Sequence, residues 1–225
     1  MNLIYQVNIG STSFFDECID SVSRYCKWYG IDHIVQTESL LDLPPHFEKL
    51  GAFSYLGEYE KVLILDADVF ITRLAPNIFD CDDAEFSAVI ERDLPLTPVY
   101  RDKIRRYTDE NYRSLTDVDW DWDESGAEFF NTGVCLLRGT KTPSGLERFL
   151  ENNYWNRTYD QTFLNWWVKS CGVDFNRLDW RWNALYGAVD DIAEAYFVHF
   201  FLSYAMPRGG AEIPEIIQGI VEFHA

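Results

Sequence analysis

The strongest constraint on the fold is an alternation of apolar strands and helical segments near the start of the chain. Two segments are predicted as helices: Phe14–Tyr29, whose apolar residues recur at helical spacing, and Phe47–Tyr59, which is opened by Pro44-Pro45. Three short apolar runs alternate with them and predict buried strands: Leu3–Val7, Ile31–Val35 and Lys61–Leu65. Strands that alternate with helices form parallel sheets, so the order predicts an α/β fold with a mostly parallel, Rossmann-like central sheet and helices on both faces.

The second half of the chain is less regular. Phe86–Ile90, Phe129–Leu137 and Tyr196–Phe201 are predicted as strands, and Ser144–Asn153 and Asp160–Cys171 as helices. A length of 225 residues suits one large domain better than two small ones. We therefore expect residues 1–225 to form a single domain.

A long acidic segment, Pro95–Glu128, separates two of these strands and is expected to be mostly loop with a short helix. Its alternating carboxylates resemble a calcium loop in spacing, but Trp122 stands where the sharp turn of that loop needs glycine. A solvated acidic loop is the preferred interpretation, with a weak cation contact or a lid as the alternative. Trp120 and Trp122 alternate with these carboxylates and offer stacking faces suited to a sugar, although a partly buried position is an equal alternative.

The charge of the chain excludes several classes of partner. Asp and Glu number 37 against 19 Lys and Arg, which gives a net charge of −18. Binding to a phosphate backbone depends on basic patches, so nucleic acid and anionic membrane surfaces are not expected as partners. An anion of nucleotide size is still compatible, provided that a metal ion or a few basic groups neutralise it.

The five cysteines are scattered and odd in number, and no C-x-x-C pair occurs. This pattern predicts free thiols in a reducing compartment rather than disulfides or a zinc site. No signal-peptide pattern and no apolar run long enough to span a bilayer is present in the sequence. A soluble, cytoplasmic protein is therefore expected.

Two carboxylates, Asp66 and Asp68, follow the apolar run Lys61–Leu65 at the point where the predicted strand ends. Ligands of open α/β sheets bind at the carboxyl ends of the strands. Closely held carboxylates repel one another, and a hard cation such as Mn²⁺ or Mg²⁺ relieves the repulsion. The alternative is that both residues are ordinary turn residues in an acidic chain.

These residues resemble the D-x-D segment of GT-A-fold glycosyltransferases, in particular glycosyltransferase family 8 and its relatives. The matching segment is Leu63–Val69. Glu128–Leu137 is similar to the "F-N-x-G-V-x-L" strand of that family, Tyr159–Asn165 to its "D-Q-x-x-L-N" helix start, and Val198–Phe200 to its late "x-H-F". The four segments occur in the family's order, and the resemblance extends from the first strand to about Arg208.

The resemblance implies a role for named residues. Asp66, Asp68 and His199 would bind the metal, although a structural histidine is the alternative for His199. Asp160 and Gln161 would lie beside the reacting carbon, although Asp160 also suits a helix N-cap. The donor nucleotide sugar would contact Gln6, Asn8, Lys49, Asp66, Ala67, Asn131, Thr132 and Gly133.

The sequence departs from the family after its late histidine, where the family has a glycine at the third position and a diphosphate-binding lysine at the sixth. Leu202 and Ala205 occupy those positions here. Arg208 is the candidate replacement for the lysine.

The function implied is transfer of a sugar from a nucleotide sugar, UDP-linked by preference, to a glycan, glycoprotein or other hydroxyl acceptor. The first half of the chain would bind the nucleotide and the second half would shape the acceptor site. The glutamine beside Asp160 favours retention of the anomeric configuration, and an inverting reaction with Asp160 as base is the alternative. A non-catalytic carbohydrate-binding protein and a nucleotidyltransferase-like enzyme are the competing functions, but Ile9-Gly10-Ser11 is a poor phosphate loop for the latter.

Overall fold

A computed structural model describes residues 1–10, 15–151, 160–201 and 213–223. Its eleven strands are numbered in chain order: β1 Asn2–Val7, β2 Asp32–Gln36, β3 Lys61–Asp66, β4 Val69–Ile71, β5 Phe86–Ile90, β6 Trp122–Asp123, β7 Gly126–Ala127, β8 Phe130–Arg138, β9 Phe175–Arg177, β10 Ala184–Leu185 and β11 Phe197–His199. The described residues also form five α-helices: α1 Asp16–Tyr29, α2 Pro98–Asn111, α3 Leu146–Glu151, α4 Asp160–Ser170 and α5 Ile213–Phe223.

Six strands form the central sheet in the order β2-β1-β3-β8-β5-β9. The pairs β1–β2, β1–β3 and β5–β9 are parallel, whereas β8 runs antiparallel to both of its neighbours. Residues 62–65 of β3 are at most 1% exposed, as expected for a strand covered on both faces. The predicted α/β class with a mostly parallel central sheet is confirmed.

Several predicted elements differ in type or extent from those observed. The segment predicted as the helix Phe47–Tyr59 is a 3₁₀ helix, Pro45–Tyr55, and its first residue is a proline that suits a helix start. The late strand is shorter than predicted and belongs to a second sheet, β10-β11-β4. Gly30 ends α1 as the sequence indicates, because it adopts a left-handed φ of 68°.

The segment predicted as mostly loop, Pro95–Glu128, contains the 14-residue helix α2. The hydroxyl of Thr97 accepts a hydrogen bond from the N–H of Tyr100 and caps this helix. The buried positions recur at helical spacing: Tyr100, Ile104, Thr108 and Asn111. Two of these four are polar, so a search for apolar residues alone misses the periodicity.

One edge of the central sheet collects the ends of four strands. The parallel strands β1, β3 and β5 end there, and the antiparallel β8 begins there, since Leu65 pairs with Val134 and Ile90 with Phe130. The residues that follow β1, β3 and β5 therefore lie near the first residues of β8. This edge is where an open α/β sheet binds ligands.

All five cysteines are free thiols. Among the described residues, no helix combines the length and apolar character needed to cross a membrane.

Candidate active site

A cleft of about 450 Å³ opens at this edge of the sheet. Its walls include Asn8 after β1, Asp66 at the end of β3, Thr132 in β8 and Gln161 in α4. Helix α2 contributes a further wall with Tyr100, Lys103, Ile104 and Tyr107. The volume is in the range of sites that enclose a small organic ligand.

Two carboxylates and an imidazole meet in this cleft. The Nε2 atom of His199 lies 3.3 Å from Oδ1 of Asp68 and 3.8 Å from Oδ2 of Asp66. One ligand atom from each of the three residues lies within 4.8 Å of the others. Carboxylate oxygens with one imidazole nitrogen suit a divalent cation such as Mn²⁺, so the chemistry of the donor set fits the metal that the sequence suggests.

Strand pairing brings the three residues together although 131 positions separate Asp68 from His199. In the second sheet β4 runs antiparallel to β11, and Val69 pairs with His199. The N–H of Phe200 donates to the carbonyl of Asp68 at 3.1 Å. Burial lowers the pKa of His199, but the neighbouring Asp68 and Asp66 raise it more, so its pKa is raised overall.

A buried lysine connects this cluster to the start of α4. Nζ of Lys49 lies 2.6 Å from Oδ1 of Asp66 and 2.9 Å from Oδ2 of Asp160. Burial acts to lower the pKa of Lys49, but the two carboxylates outweigh it and its pKa is raised, so the side chain is a cation. The hydroxyl of Thr132 donates to the same Oδ2 of Asp160 at 2.7 Å. Asp160 is therefore held in a fixed orientation at the cleft.

The start of β8 packs against His199. The Nδ2 of Asn131 donates to Oε1 of Glu91 at 2.9 Å, and the N–H of Gly133 donates to Oδ1 of Asn131 at 2.9 Å. A Cβ atom on Gly133 would lie 2.3 Å from Cε1 of His199. The absence of a side chain at Gly133 therefore makes room for the imidazole, whereas the resemblance implies that this glycine contacts the donor sugar.

The structure brings most of the sequence-predicted site residues to the cleft. Asn8, Lys49, Asp66, Ala67, Asp68, Asn131, Thr132, Gly133, Asp160, Gln161 and His199 all line it. Gln6 is fully buried and is not among the described lining residues; its Nε2 donates to the carbonyl of Asp66 and its Oε1 faces His33. The structure thus does not place Gln6 in the cleft wall, because both polar atoms of its side chain are engaged by Asp66 and His33. Arg208 lies outside the described residues.

The cleft residues that were not predicted from the sequence include Glu91, His46, Lys103 and Tyr107. Glu91 comes directly after β5, so the argument from strand ends that selects Asp66 would also have selected it. His46 opens the 3₁₀ helix that carries Lys49. Lys103 and Tyr107 lie four residues apart on α2, in a segment that was expected to be mostly loop with a short helix.

The acidic segment after α2 is anchored to the protein. Arg92 lies 2.6 Å from Asp121 and 3.1 Å from Asp123. Trp120 is only 6% exposed, and its indole N–H donates to the carbonyl of Leu115. Trp120 is therefore a core residue without an open stacking face, which agrees with the buried alternative, whereas Trp122 is 37% exposed.

Burial of the Glu91 carboxyl group is expected to make the stability of the protein depend on pH. Burial raises the pKa of Glu91 from 4.5 to about 7, against the opposing effects of Asn131, His199 and Gln161. The folded state then binds a proton more readily than the unfolded state, so this group lowers stability as the pH rises from 4.5 to 7. We expect Glu91→Gln to be more stable than the wild type by about 3 kcal/mol at pH 8 and nearly equal to it at pH 4.5.

Urea unfolding at the two pH values measures this difference. Glu58→Gln, at an exposed position, serves as the control and should show no such change. An equal effect of Glu91→Gln at both pH values would contradict the prediction.

The comparisons with known proteins identify the fold. No protein-family model matches the chain, and no curated protein matches it in sequence. Solved structures do match over nearly the whole chain. A glycosyltransferase involved in glycosylation of the major capsid of PBCV-1 has a TM-score of 0.59 and 16% identity, and the match covers 97% of this chain and 98% of that one.

Two further structures agree with this match. The galactosyltransferase LgtC, solved with donor and acceptor sugar analogues, has a TM-score of 0.58 at 15% identity over 97% of this chain and 96% of LgtC. Mouse xyloside xylosyltransferase 1 has a TM-score of 0.50 at 15% identity over 90% of this chain and 99% of that enzyme. The architecture of this chain is therefore the GT-A glycosyltransferase fold.

Proposed function

We propose that this protein is a metal-dependent glycosyltransferase that moves a sugar from a nucleotide sugar, UDP-linked by preference, to a hydroxyl of a glycan or glycoprotein. The observation that carries the proposal is the cluster of Asp66, Asp68 and His199 in the cleft at the carboxyl edge of the sheet. The structural neighbours named above are described as glycosyltransferases, which supports the same reaction class.

The proposed metal site would be formed by Asp66, Asp68 and His199. A divalent cation bound there, Mn²⁺ or Mg²⁺, would act as a Lewis acid toward the diphosphate leaving group. Because the chain has a net charge of −18, a donor anion needs such local neutralisation to enter the cleft. Ala67, between the two aspartates, and Asn8, after β1, are proposed to contact the nucleotide.

Asp160, Gln161, Asn131 and Thr132 are proposed to surround the transferred sugar. The reacting carbon becomes positively charged in the transition state, as in glycoside hydrolysis, so a fixed carboxylate beside it lowers the barrier. Lys49 and Thr132 hold Asp160 in one orientation, so its charge would not need to reorganise during the reaction. Gly133 would serve this arrangement indirectly, through the space that it leaves for His199.

We extend the proposal to retention of the anomeric configuration. An inverting reaction needs a general base that accepts a proton from the acceptor hydroxyl. Oδ2 of Asp160 already accepts from Lys49 and Thr132, which supports an electrostatic role rather than that of a base. Gln161 also lines the cleft, and an amide can bind the sugar but cannot act as a base.

One experiment tests both the donor class and the stereochemistry. A panel of nucleotide sugars is incubated with the protein and Mn²⁺ without acceptor, and NMR identifies the anomer of the sugar that is released before it mutarotates. We expect a UDP-sugar to be hydrolysed and the first product to keep the donor's configuration. A product of opposite configuration would make Asp160 the base of an inverting enzyme. Sugar binding without any turnover would favour a carbohydrate-binding protein instead.

A further inference from the structure

A chain of buried side-chain amides lies behind His199, on the side away from the two aspartates. Nδ1 of His199 is 3.0 Å from Oδ1 of Asn183. Asn183 ends a short 3₁₀ helix, Trp180–Asn183, immediately before β10. Because β10 pairs with β11, Asn183 is carried next to the strand that ends in His199.

We propose that Asn183 is a positioning residue that fixes the tautomer of His199. It would hold the imidazole with the proton on Nδ1, so that the lone pair of Nε2 is directed at Asp66 and Asp68. The inference rests on the proposed function, because it takes Nε2 as a metal ligand.

The direction of the hydrogen bonds is set by a backbone group. The N–H of Gly133 can only donate, so the atom of Asn131 that it contacts must be the amide oxygen Oδ1. The amide nitrogen of Asn131 then faces Oε1 of Glu91, which agrees with its role as a donor. Asn131 is thereby oriented without ambiguity.

The orientation of Asn131 determines that of Asn183. The Oδ1 of Asn131 accepts a second hydrogen bond, from Nδ2 of Asn183 at 2.9 Å. The other end of the Asn183 amide is therefore its oxygen, and this oxygen faces Nδ1 of His199. An amide oxygen only accepts, so Nδ1 must carry the hydrogen. In a neutral imidazole the lone pair is then on Nε2.

Burial makes this arrangement costly to change. Asn183 is 0% exposed and His199 is 4% exposed, so solvent has little access to replace a lost partner. The imidazole also packs against the bare Cα of Gly133, where a Cβ would contact both Cε1 and Nδ1. A histidine that binds a metal generally donates its second N–H to such a partner, and loss of the partner weakens metal affinity about 10–100-fold.

Two substitutions at position 183 separate positioning from simple packing. Asn183→Leu keeps the number and branching of the side-chain heavy atoms but removes the acceptor, so we expect a mixture of tautomers and a loss of Mn²⁺ affinity of about 10–100-fold. Asn183→Asp keeps an oxygen facing Nδ1 but loses the donor to Oδ1 of Asn131, so we expect it to retain the Nδ1–H tautomer and a higher Mn²⁺ affinity than Asn183→Leu. A role in packing alone predicts the reverse order, because a buried charge disturbs the core more than leucine does.

The readouts are the free Mn²⁺ signal in electron paramagnetic resonance, with no nucleotide present, and the ¹⁵N shifts of labelled histidine in the metal-free protein. The chain has only four histidines, and His199→Gln identifies the signal of His199. Spectra are recorded above the pH at which His199 loses its charge. Asn111→Leu is the control, because Asn111 is also a buried asparagine but donates to the carbonyl of Tyr107 in α2.

The expected result is a single Nδ1–H tautomer in the wild type. Asn183→Leu should lose both the single tautomer and Mn²⁺ affinity, and Asn111→Leu should lose neither. A wild-type His199 protonated on Nε2, or unchanged Mn²⁺ affinity in Asn183→Leu, would overturn the inference. If Asn183→Leu does not fold, the wild-type spectrum and Asn183→Asp still decide the matter. Absence of Mn²⁺ binding by the wild type would instead refute the proposed metal dependence, while the tautomer would still test Asn183.

Discussion

Asp68→Asn is expected to lower turnover of the nucleotide sugar about 10³-fold or more while the protein remains folded. The substitution preserves the size of the side chain but removes one of the two negative charges that face Nε2 of His199. In free-energy terms this corresponds to about 4 kcal/mol of lost transition-state stabilisation. Steady-state rates at saturating Mn²⁺ measure the change, and circular dichroism checks the fold.

Asp119→Asn is the matched control, since Asp119 is an exposed aspartate of the same acidic chain. It should retain the wild-type rate. Turnover by Asp68→Asn within a few-fold of the wild type, or wild-type turnover that persists in excess EDTA, would contradict the role proposed for Asp68.

Gly133→Ala is expected to disable the same site by steric displacement. The new methyl group would lie 2.3 Å from Cε1 and 2.5 Å from Nδ1 of His199, closer than any stable contact. Since His199 is buried, its ring must move away from Asp66 and Asp68 or the strand must shift. We expect a loss of about 3 kcal/mol in the free energy of unfolding. We also expect a fall of about 100-fold in Mn²⁺ affinity.

Gly219→Ala provides the comparison, because among the described residues no atom beyond the adjoining backbone of α5 lies within 4 Å of the methyl group that it would add. Replacing a glycine inside a helix should raise the free energy of unfolding by up to about 1 kcal/mol. Stability and Mn²⁺ affinity of Gly133→Ala equal to those of the wild type would contradict the close contact between β8 and His199.

The site residues that lie at the ends of strands were predictable from the sequence. Asp66 and Asp68 terminate a continuous apolar run, and that pattern places them at an edge of a parallel sheet without any knowledge of partners. The same reasoning predicts the α/β class, because five of the six central strands have short apolar runs and most are separated by helices. Gly30 likewise marks the end of α1 through its conformational freedom.

The contacts that complete the site depend on tertiary pairing, which a local pattern does not contain. His199 reaches Asp68 through pairing of β4 with β11, two three-residue strands far apart in sequence. The ion pairs of Lys49 with Asp66 and Asp160 join three separate elements. Only the resemblance to a known family identified these residues as parts of one candidate site. It gave no indication of Glu91 or Asn183.

The central claim is that Asp66, Asp68 and His199 hold a metal ion for a nucleotide-sugar donor, and calorimetric titration of UDP into the protein tests it most directly. The titration is run with Mn²⁺ and with EDTA, on the wild type and on Asp68→Asn. We expect UDP to bind the wild type at least about tenfold more tightly with Mn²⁺ than without it, and Asp68→Asn to lose that difference. Equal affinity of the wild type for UDP in Mn²⁺ and in EDTA would contradict the claim.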